Sequence, residues 1–181
     1  MSDILLRATD VKQYFTIKKP RGGKATLKAV DGVSLAIEKG ETFGLVGESG
    51  CGKSTLGKTF LNLFPLTGGK VEVDGQDIYA LKGRALKEYR RTAQMIFQDP
   101  MTSLNPVMTI GRQLTEPLMV HQGMDKAAAW KHAVQMLEKV GITAPQQRMK
   151  EYPHQFSGGM RQRIMIAMAL SCNPALLIAD E

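Results

Sequence analysis

The sequence lacks the features that would mark a secreted, membrane-spanning or metal-binding chain. No apolar run approaches the roughly 20 residues that a helix needs to cross a bilayer, and the start, Met1-Ser2-Asp3-Ile4, is not a secretory signal. Cysteine is scarce: Cys51 and Cys172 form no CxxC pair, which predicts reduced thiols rather than a disulfide framework. The histidines, His121, His132 and His154, have no metal-ligand spacing. We therefore expect a cytoplasmic chain that would reach a membrane only through a separate spanning subunit.

Composition and charge are those of an ordinary globular protein. The 181 residues suit one domain with a real core, and 43% of them are hydrophobic. Lys and Arg outnumber Asp and Glu by 24 to 17, a net charge of +7. The basic residues are scattered, mainly over 18–24 and 82–91, whereas a nucleic-acid binder would cluster them with aromatics between. The charge therefore favours solvated surfaces on a protein with an anionic ligand, and attraction to an anionic membrane is a weaker alternative.

Hydrophobic periodicity and turn signals predict an alternation of strands and helices. Asp74-Gly75 indicates a two-residue hairpin, and Asp125 and Gly141 are suited to begin and end a helix. Frequent proline and methionine after Gln98 suggest a helical insertion into an α/β core. The predicted strands cover 5–11, 15–17, 33–37, 42–46, 71–73, 93–97 and 176–179, and the predicted helices cover 56–63, 81–92, 127–137 and 157–170.

A phosphate-binding loop is the most specific motif. The segment between the strand at 42–46 and the following helix matches G-x-x-x-x-G-K-[ST] in full. Such a loop turns its N–H groups toward phosphate oxygens, and the helix adds its positive dipole end. The lysine would reach the β- and γ-phosphates, and the serine hydroxyl would coordinate Mg²⁺. The predicted nucleotide-binding residues here are Gly47, Glu48, Ser49, Gly50, Cys51, Gly52, Lys53, Ser54 and Thr55.

Two further motifs suit the same chemistry. Four apolar residues deliver Asp180 and Glu181 to the end of a buried strand. The first carboxylate could hold Mg²⁺ through water, and the second could polarise an attacking water. Ser157, Gly158 and Gly159 open a helix and would present bare N–H groups to an anion.

These motifs, in this order, resemble those of ABC ATPases, and Ser-Gly-Gly-x-x-Gln is similar to that family's signature. The resemblance implies ATP and Mg²⁺ as ligands, with Ser157, Gly158 and Gly159 contacting nucleotide across a dimer. It implies Glu181, Lys53 and Gln98 as catalytic residues and Ser54, Gln98 and Asp180 at the metal. It also implies that Phe15 (or Tyr14) stacks on adenine and that Gln98 binds nucleotide.

The resemblance implies an α/β fold, a P-loop NTPase core of ABC type with an N-terminal antiparallel β-subdomain and an inserted α-helical subdomain. We expect one ABC ATPase domain over 1–181. Residues 1–97 would form the β-subdomain and nucleotide-binding core, 98–156 the helical subdomain, and 157–181 the signature helix and the strand with the carboxylates. Family members continue past the glutamate, so the C-terminal part of the fold is expected to be missing.

The segments Phe97–Pro106 and Tyr152–Arg163 resemble the ATPase subunits of oligopeptide and dipeptide importers in particular. Nickel and glutathione importers have similar sequences in these two segments, so the resemblance does not identify the cargo. The resemblance implies a protein that lies on the cytoplasmic face of the inner membrane and powers peptide import. Its implied partners are transmembrane permease subunits, a second ABC ATPase subunit and, indirectly, a substrate-binding protein, without nucleic acid. Two alternatives stay open: a truncated nucleotide-binding fragment that hydrolyses nothing, and a soluble ABC-type ATPase acting on nucleic acid or ribosomes.

Overall fold

The structure, a computed structural model, describes residues 3–20, 22–99 and 103–180. Contacts between Cα atoms divide the chain into two compact units, Met1–Leu86 and Lys87–Glu181, which are described separately below. Among the described residues, no helix combines the length and the apolar character that a membrane crossing requires. The segment boundaries at 97/98 and 156/157 stay predictions.

The first unit is built on a four-stranded antiparallel sheet. Its strands are β1 (Ile4–Lys18), β2 (Lys24–Glu38), β3 (Gly68–Val73) and β4 (Gln76–Asp77), in the order β2-β1-β3-β4. The predicted strands at 5–11 and 15–17 are one continuous strand, broken only by irregularities in its register with β2. Because side chains alternate across a strand, β1 buries Leu6 and Ala8 on one face. The N-terminal antiparallel sheet predicted from the resemblance is confirmed.

Helix α1 (Lys53–Phe60) lies against β1 and β2, and its buried residues include Leu56 and Phe60. The apolar spacing predicted a helix as far as Leu63, which is wrong. The helix ends earlier because Asn62 adopts a left-handed conformation with φ 53°, and its side-chain amide donates to the carbonyl of Ile78 at 2.9 Å. Leu63 is consequently exposed.

The strand predicted at 42–46 is absent, since this segment makes no ladder and is exposed along its length. Val46 keeps 95% of its surface accessible. Apolar composition alone does not make a strand, because the backbone groups also need a neighbouring strand to pair with. The segment enters the phosphate loop as extended chain without ladder hydrogen bonds.

The second unit pairs a short parallel sheet with a layer of helices. Strands β5 (Ala93–Ile96) and β6 (Leu176–Ala179) are parallel, with Ile96 opposite Ala179. Helix α2 (Gly83–Thr92) runs across the division between the units. Further helices among the described residues are α3 (Ile110–Gln122), α4 (Lys126–Lys139), the single turn α5 (Pro145–Arg148), a 3₁₀ turn (Pro153–Gln155) and α6 (Gly158–Leu170).

Helices α3, α4 and α6 enclose the core of this unit, whose centre includes Leu114, Leu137 and Ile164. Helix α4 begins at its expected cap, because the Asp125 carboxylate accepts from the N–H of Ala128 at 2.8 Å. The sequence predicted Ala127 on its apolar stripe, but Ala127 is exposed. Helix α3 was not among the predicted helices, because Pro117 in its interior is a residue that usually interrupts a helix.

Candidate nucleotide-binding site

The phosphate loop, residues 47–52, leads directly into α1. Gly50 and Gly52 have φ of 79° and 101°, conformations that side chains bearing a Cβ disfavour. The Gly52 carbonyl accepts the N–H of Leu56 at 2.8 Å, the bond that starts the helix. The start of a helix carries a partial positive charge from its aligned peptide dipoles, so the loop ends at a positively polarised surface.

Strand β2 packs closely against the phosphate loop at Gly52. A Cβ added to Gly52 would lie 2.1 Å from the carbonyl oxygen of Ala29 and 3.8 Å from Val30. The glycine is therefore required twice, by its left-handed conformation and by the approach of the β2 backbone. The sequence motif indicated only the first requirement, since nothing in the pattern reveals which strand the loop touches.

Lys53 is the first residue of α1, and its ammonium is held inside the loop. It donates to the carbonyl of Gly47 at 2.7 Å and to that of Glu48 at 2.8 Å. The Cys51 thiol lies 3.9 Å from the same nitrogen. The structure thus brings the lysine, both ends of the loop and the helix start together, an arrangement suited to an anionic ligand with several oxygens.

The other loop side chains are exposed or half-buried, and the Cys51 thiol lies toward the Lys53 ammonium. Glu48, Ser49 and Cys51 are exposed, and Ser54 and Thr55 are half-buried in the first turn of α1. The loop therefore offers its backbone, rather than a row of side chains, to a ligand. The hydroxyl of Ser54 is the hard oxygen donor at this end of the helix, the donor type that Mg²⁺ prefers.

The two candidate adenine-stacking residues are in different environments. The Tyr14 hydroxyl donates to the Asp31 carboxylate, and Lys28 lies over its ring at 5.3 Å. This cluster raises the pKa of Tyr14 through the hydrogen bond to Asp31 and lowers that of Asp31 through Tyr14 and then Lys28. Phe15 instead packs against Phe64, with ring centroids 5.2 Å apart and planes at 85°. Tyr14 is thus committed to a polar cluster, which leaves Phe15 as the candidate.

In the second unit, Gln98 and Asp180 come to the same edge of the parallel sheet. Ile96 is level with Ala179, and the N–H of Asp180 donates to the Ile96 carbonyl at 2.9 Å. Because the strands are parallel, residues that follow β5 and β6 leave the sheet at one end. Both side chains carry hard oxygen atoms. Glu181 lies outside the described residues, as do Pro100, Met101 and Thr102 of the Phe97–Pro106 segment.

The signature residues begin α6. The Ser157 hydroxyl caps the helix by accepting the N–H of Met160 at 3.3 Å. Gly158 and Gly159 occupy its first turn, and a Cβ added to either would meet no atom within 4 Å. Neither has a positive φ. Conformation and packing in the described part of the chain therefore do not require these two glycines, whereas the close approach of another molecule would.

Comparison with known proteins decides the family. A family model described as ABC transporter matches residues 30–181. The chain belongs to the ABC transporter family. Its phosphate loop, carboxylate strand and Ser-Gly-Gly helix all lie inside the matched segment. The fold agrees with this family: the ATP-binding cassette MJ0796, solved as a dimer in a post-hydrolysis state bound to ADP and Pi, matches 97% of this chain and 73% of its own. The TM-score is 0.84 at 28% identity.

Curated members of the family are similar over nearly the whole chain. The oligopeptide transport ATP-binding protein AppD of Bacillus subtilis is 49% identical, covering 98% of this chain and 54% of its own length. The oligopeptide transport ATP-binding protein OppD of Salmonella typhimurium is 47% identical, covering 99% of this chain and 53% of its own. The chain therefore spans about half the length of the curated relatives it matches.

Two contributors to this site were missed by sequence reasoning. Ala29 acts through its backbone carbonyl, which no residue pattern reveals. Phe64 lies just beyond α1 before a proline, where an aromatic residue gives no motif. Only the pairing of β1 and β2 and the path of the chain after α1 bring these residues to the loop and to Phe15.

Proposed function

We propose that the full-length protein binds ATP with Mg²⁺ and hydrolyses it as the ATPase subunit of a peptide importer at the cytoplasmic face of the membrane. The observation that carries the proposal is the phosphate loop, with the Lys53 ammonium bonded to loop carbonyls at 2.7 and 2.8 Å beside the start of α1. Backbone amides, one cation and a helix dipole in this arrangement suit the phosphates of a nucleotide.

Each of the other motif residues has a separate part in this proposal. Lys53 neutralises charge that develops on the transferred phosphoryl group. The oxygen atoms of Ser54, Gln98 and Asp180 are the donors we assign to Mg²⁺, which neutralises phosphate charge when bound. Among the described residues there is no group of three or more His, Cys, Asp or Glu suited to a metal. Each of these hard oxygen atoms is of the type that suits Mg²⁺, which often takes one carboxylate with phosphate and water oxygens.

Glu181 is the residue we assign as general base. It would accept a proton from water as that water attacks the γ-phosphorus, giving ADP and phosphate. Ser157, Gly158 and Gly159 would contact the nucleotide bound by a second ATPase subunit. The open space around both glycines supports this assignment, because nothing in the described chain fills it.

Peptide as cargo is supported by the curated relatives, which are named as oligopeptide transport ATP-binding proteins. The proposed partners are transmembrane permease subunits, a second ATPase subunit and, indirectly, a substrate-binding protein. Uptake of a labelled oligopeptide by cells lacking the gene, and its restoration by the wild-type gene, tests this part of the proposal. Unchanged uptake in the deletion strain, with no second copy present, would contradict it.

The activity is tested with two variants of the full-length protein assembled with its permease. Lys53→Ala should abolish ATP binding at micromolar ATP. Glu181→Gln should still bind ATP but turn it over at least about 100-fold more slowly, the scale expected for a lost general base. Lys58→Ala, a second lysine on α1, is the matched control and should behave as wild type. Normal turnover by Glu181→Gln would remove Glu181 as the base.

A further inference from the structure

An aromatic pair in the first unit joins strand β1 to the chain that follows α1. The rings of Phe15, on β1, and Phe64, four residues after the end of α1, are 5.2 Å apart and nearly perpendicular, at 85°. This is the edge-to-face arrangement that aromatic rings prefer. Since perpendicular rings can contact through only one face, Phe64 covers at most one face of Phe15.

The segment that carries Phe64 is joined to β1 by two hydrogen bonds of Thr67, one from its backbone and one to its side chain. The N–H of Thr67 donates to the carbonyl of Lys12 at 3.1 Å. The N–H of Tyr14 in turn donates to the Thr67 hydroxyl at 3.0 Å. These two bonds tie the chain after α1 to the strand on either side of residue 13. These hydrogen bonds therefore hold the segment that carries Phe64 close to Phe15.

The environment of Phe64 differs from that of a core residue. Both Phe15 and Phe64 are half-buried, whereas the neighbouring Phe60 and Leu61 are buried at 6% exposure. A core-filling aromatic would be covered on all sides. A pair of half-buried perpendicular rings instead leaves apolar surface for a flat ligand to cover.

We propose that Phe64 is a positioning residue for base recognition, whose ring holds Phe15 in the orientation that stacks on the base of the bound nucleotide. This inference rests on the proposed function, and within it on Phe15 as the stacking residue. A half-buried phenylalanine with no neighbour against its ring can change rotamer about χ1 and χ2. The contact with Phe64 restricts that rotation before the nucleotide arrives, which lowers the entropic cost of binding.

The test separates the base from the phosphates by comparing two ligands. ATP carries both, and inorganic tripolyphosphate carries only the phosphate chain. Dissociation constants are measured with Mg²⁺ on the full-length protein, and the ratio for the two ligands reports the contribution of the nucleoside. Phe15→Ala calibrates the assay and should weaken ATP binding roughly 5- to 100-fold, the range for a lost base–aromatic stack.

Phe64→Leu should weaken ATP binding about 2- to 10-fold, the worth of an aromatic pair, and leave tripolyphosphate binding unchanged. Phe64→Tyr keeps the ring and should restore the wild-type ratio. Leu63→Ala changes an exposed neighbour and is the matched control for disturbance of the segment. If Phe64→Leu is unstable, Phe64→Met provides the same comparison, with the Tm checked for each protein.

The outcomes distinguish this inference from the proposed function. If Phe64→Leu weakens both ligands equally, Phe64 supports the loop rather than Phe15, and the inference is overturned. If Phe15→Ala changes the ratio but no Phe64 variant does, Phe15 stacks without help and the inference is again overturned while ATP binding stands. If the wild-type protein binds neither ligand, the proposed function itself is wrong.

Discussion

Two helices of this protein have glycines at or just before their first residue, and the two sets of glycines differ in conformation and surroundings. At the start of α1, Gly52 has φ 101° and its missing Cβ makes room for the Ala29 carbonyl. At the start of α6, Gly158 and Gly159 have no positive φ and face open space. The first glycine is required by the fold of the chain, whereas the role we propose for the other two is to leave room for an approaching nucleotide.

The helices also differ in how their ends are stabilised. Helix α1 has eight residues and no side-chain cap, so it depends on contacts with the sheet and the chain around it. Helix α6 has thirteen residues and its own cap, Ser157. Glycine-rich motifs that look alike in sequence can thus have opposite effects on stability when they are changed.

Gly52→Ala is the largest expected effect and tests the first half of this comparison. A methyl group 2.1 Å from the Ala29 oxygen forces the loop from β2, and the left-handed conformation adds strain of about 1–3 kcal/mol. We expect a markedly lower Tm and no measurable ATP binding in the full-length protein. Gly40→Ala, at another positive φ but with no atom within 4 Å, separates strain from overlap. Equal behaviour of the two variants would show that contact with β2 is unimportant.

Gly158→Ala tests the other half. Since the added methyl group meets no atom within 4 Å, stability should be unchanged or rise by about 0.4–1 kcal/mol. ATPase activity of the assembled transporter should nevertheless fall at least about 10-fold if a nucleotide approaches this helix start. Thermal unfolding and steady-state turnover measure the two effects on the same preparation. Full activity would contradict a role in contacting nucleotide.

Ser157→Ala removes the cap that distinguishes α6 from α1. The lost hydrogen bond to the Met160 N–H should cost about 1 kcal/mol of unfolding free energy. Ser157→Asn restores a capping side chain and should recover the stability. Urea unfolding of the three proteins measures the difference. Equal stability of the alanine variant and the wild type would mean that the cap contributes nothing.

Tyr79→Phe is the smallest expected effect and tests how α1 is tied at its far end. The Tyr79 hydroxyl donates to the Thr59 carbonyl at 2.8 Å, so its removal should cost about 1 kcal/mol. Burial, with a smaller effect of Asp77, raises the pKa of Tyr79 to about 12. Below about pH 10 both the folded and the unfolded chain keep this proton.

Between about pH 10 and pH 12 the unfolded chain releases the Tyr79 proton and the folded chain keeps it, so this contribution to stability is lost as pH rises. In Tyr79→Phe that part of the alkaline decline should be missing. Urea midpoints at neutral pH and at several alkaline values measure the slope for both proteins. Identical slopes would mean that the ionisation of Tyr79 does not affect the stability of the fold.

Sequence reasoning anticipated the elements whose pattern is local. The phosphate loop, the Asp125 cap and the hairpin at Asp74-Gly75 depend on residues that are close in sequence, and the structure places all three where they were expected. The strand at 42–46 failed because pairing depends on a partner that composition does not reveal. Phe64 could not be recognised for a similar reason, since the role we propose for it depends on its contact with the ring of Phe15 on β1.

The contacts of Lys53 have a consequence for any affinity measured on this protein. The ammonium already donates hydrogen bonds to two carbonyl oxygens at 2.7 and 2.8 Å. Phosphate oxygens that bind to it must therefore replace these carbonyl oxygens as acceptors. The observed binding free energy is then the difference between two sets of hydrogen bonds, much smaller than either alone. In the proposed reaction, the cation would already lie close to the phosphates, and little reorganisation would be needed in the transition state.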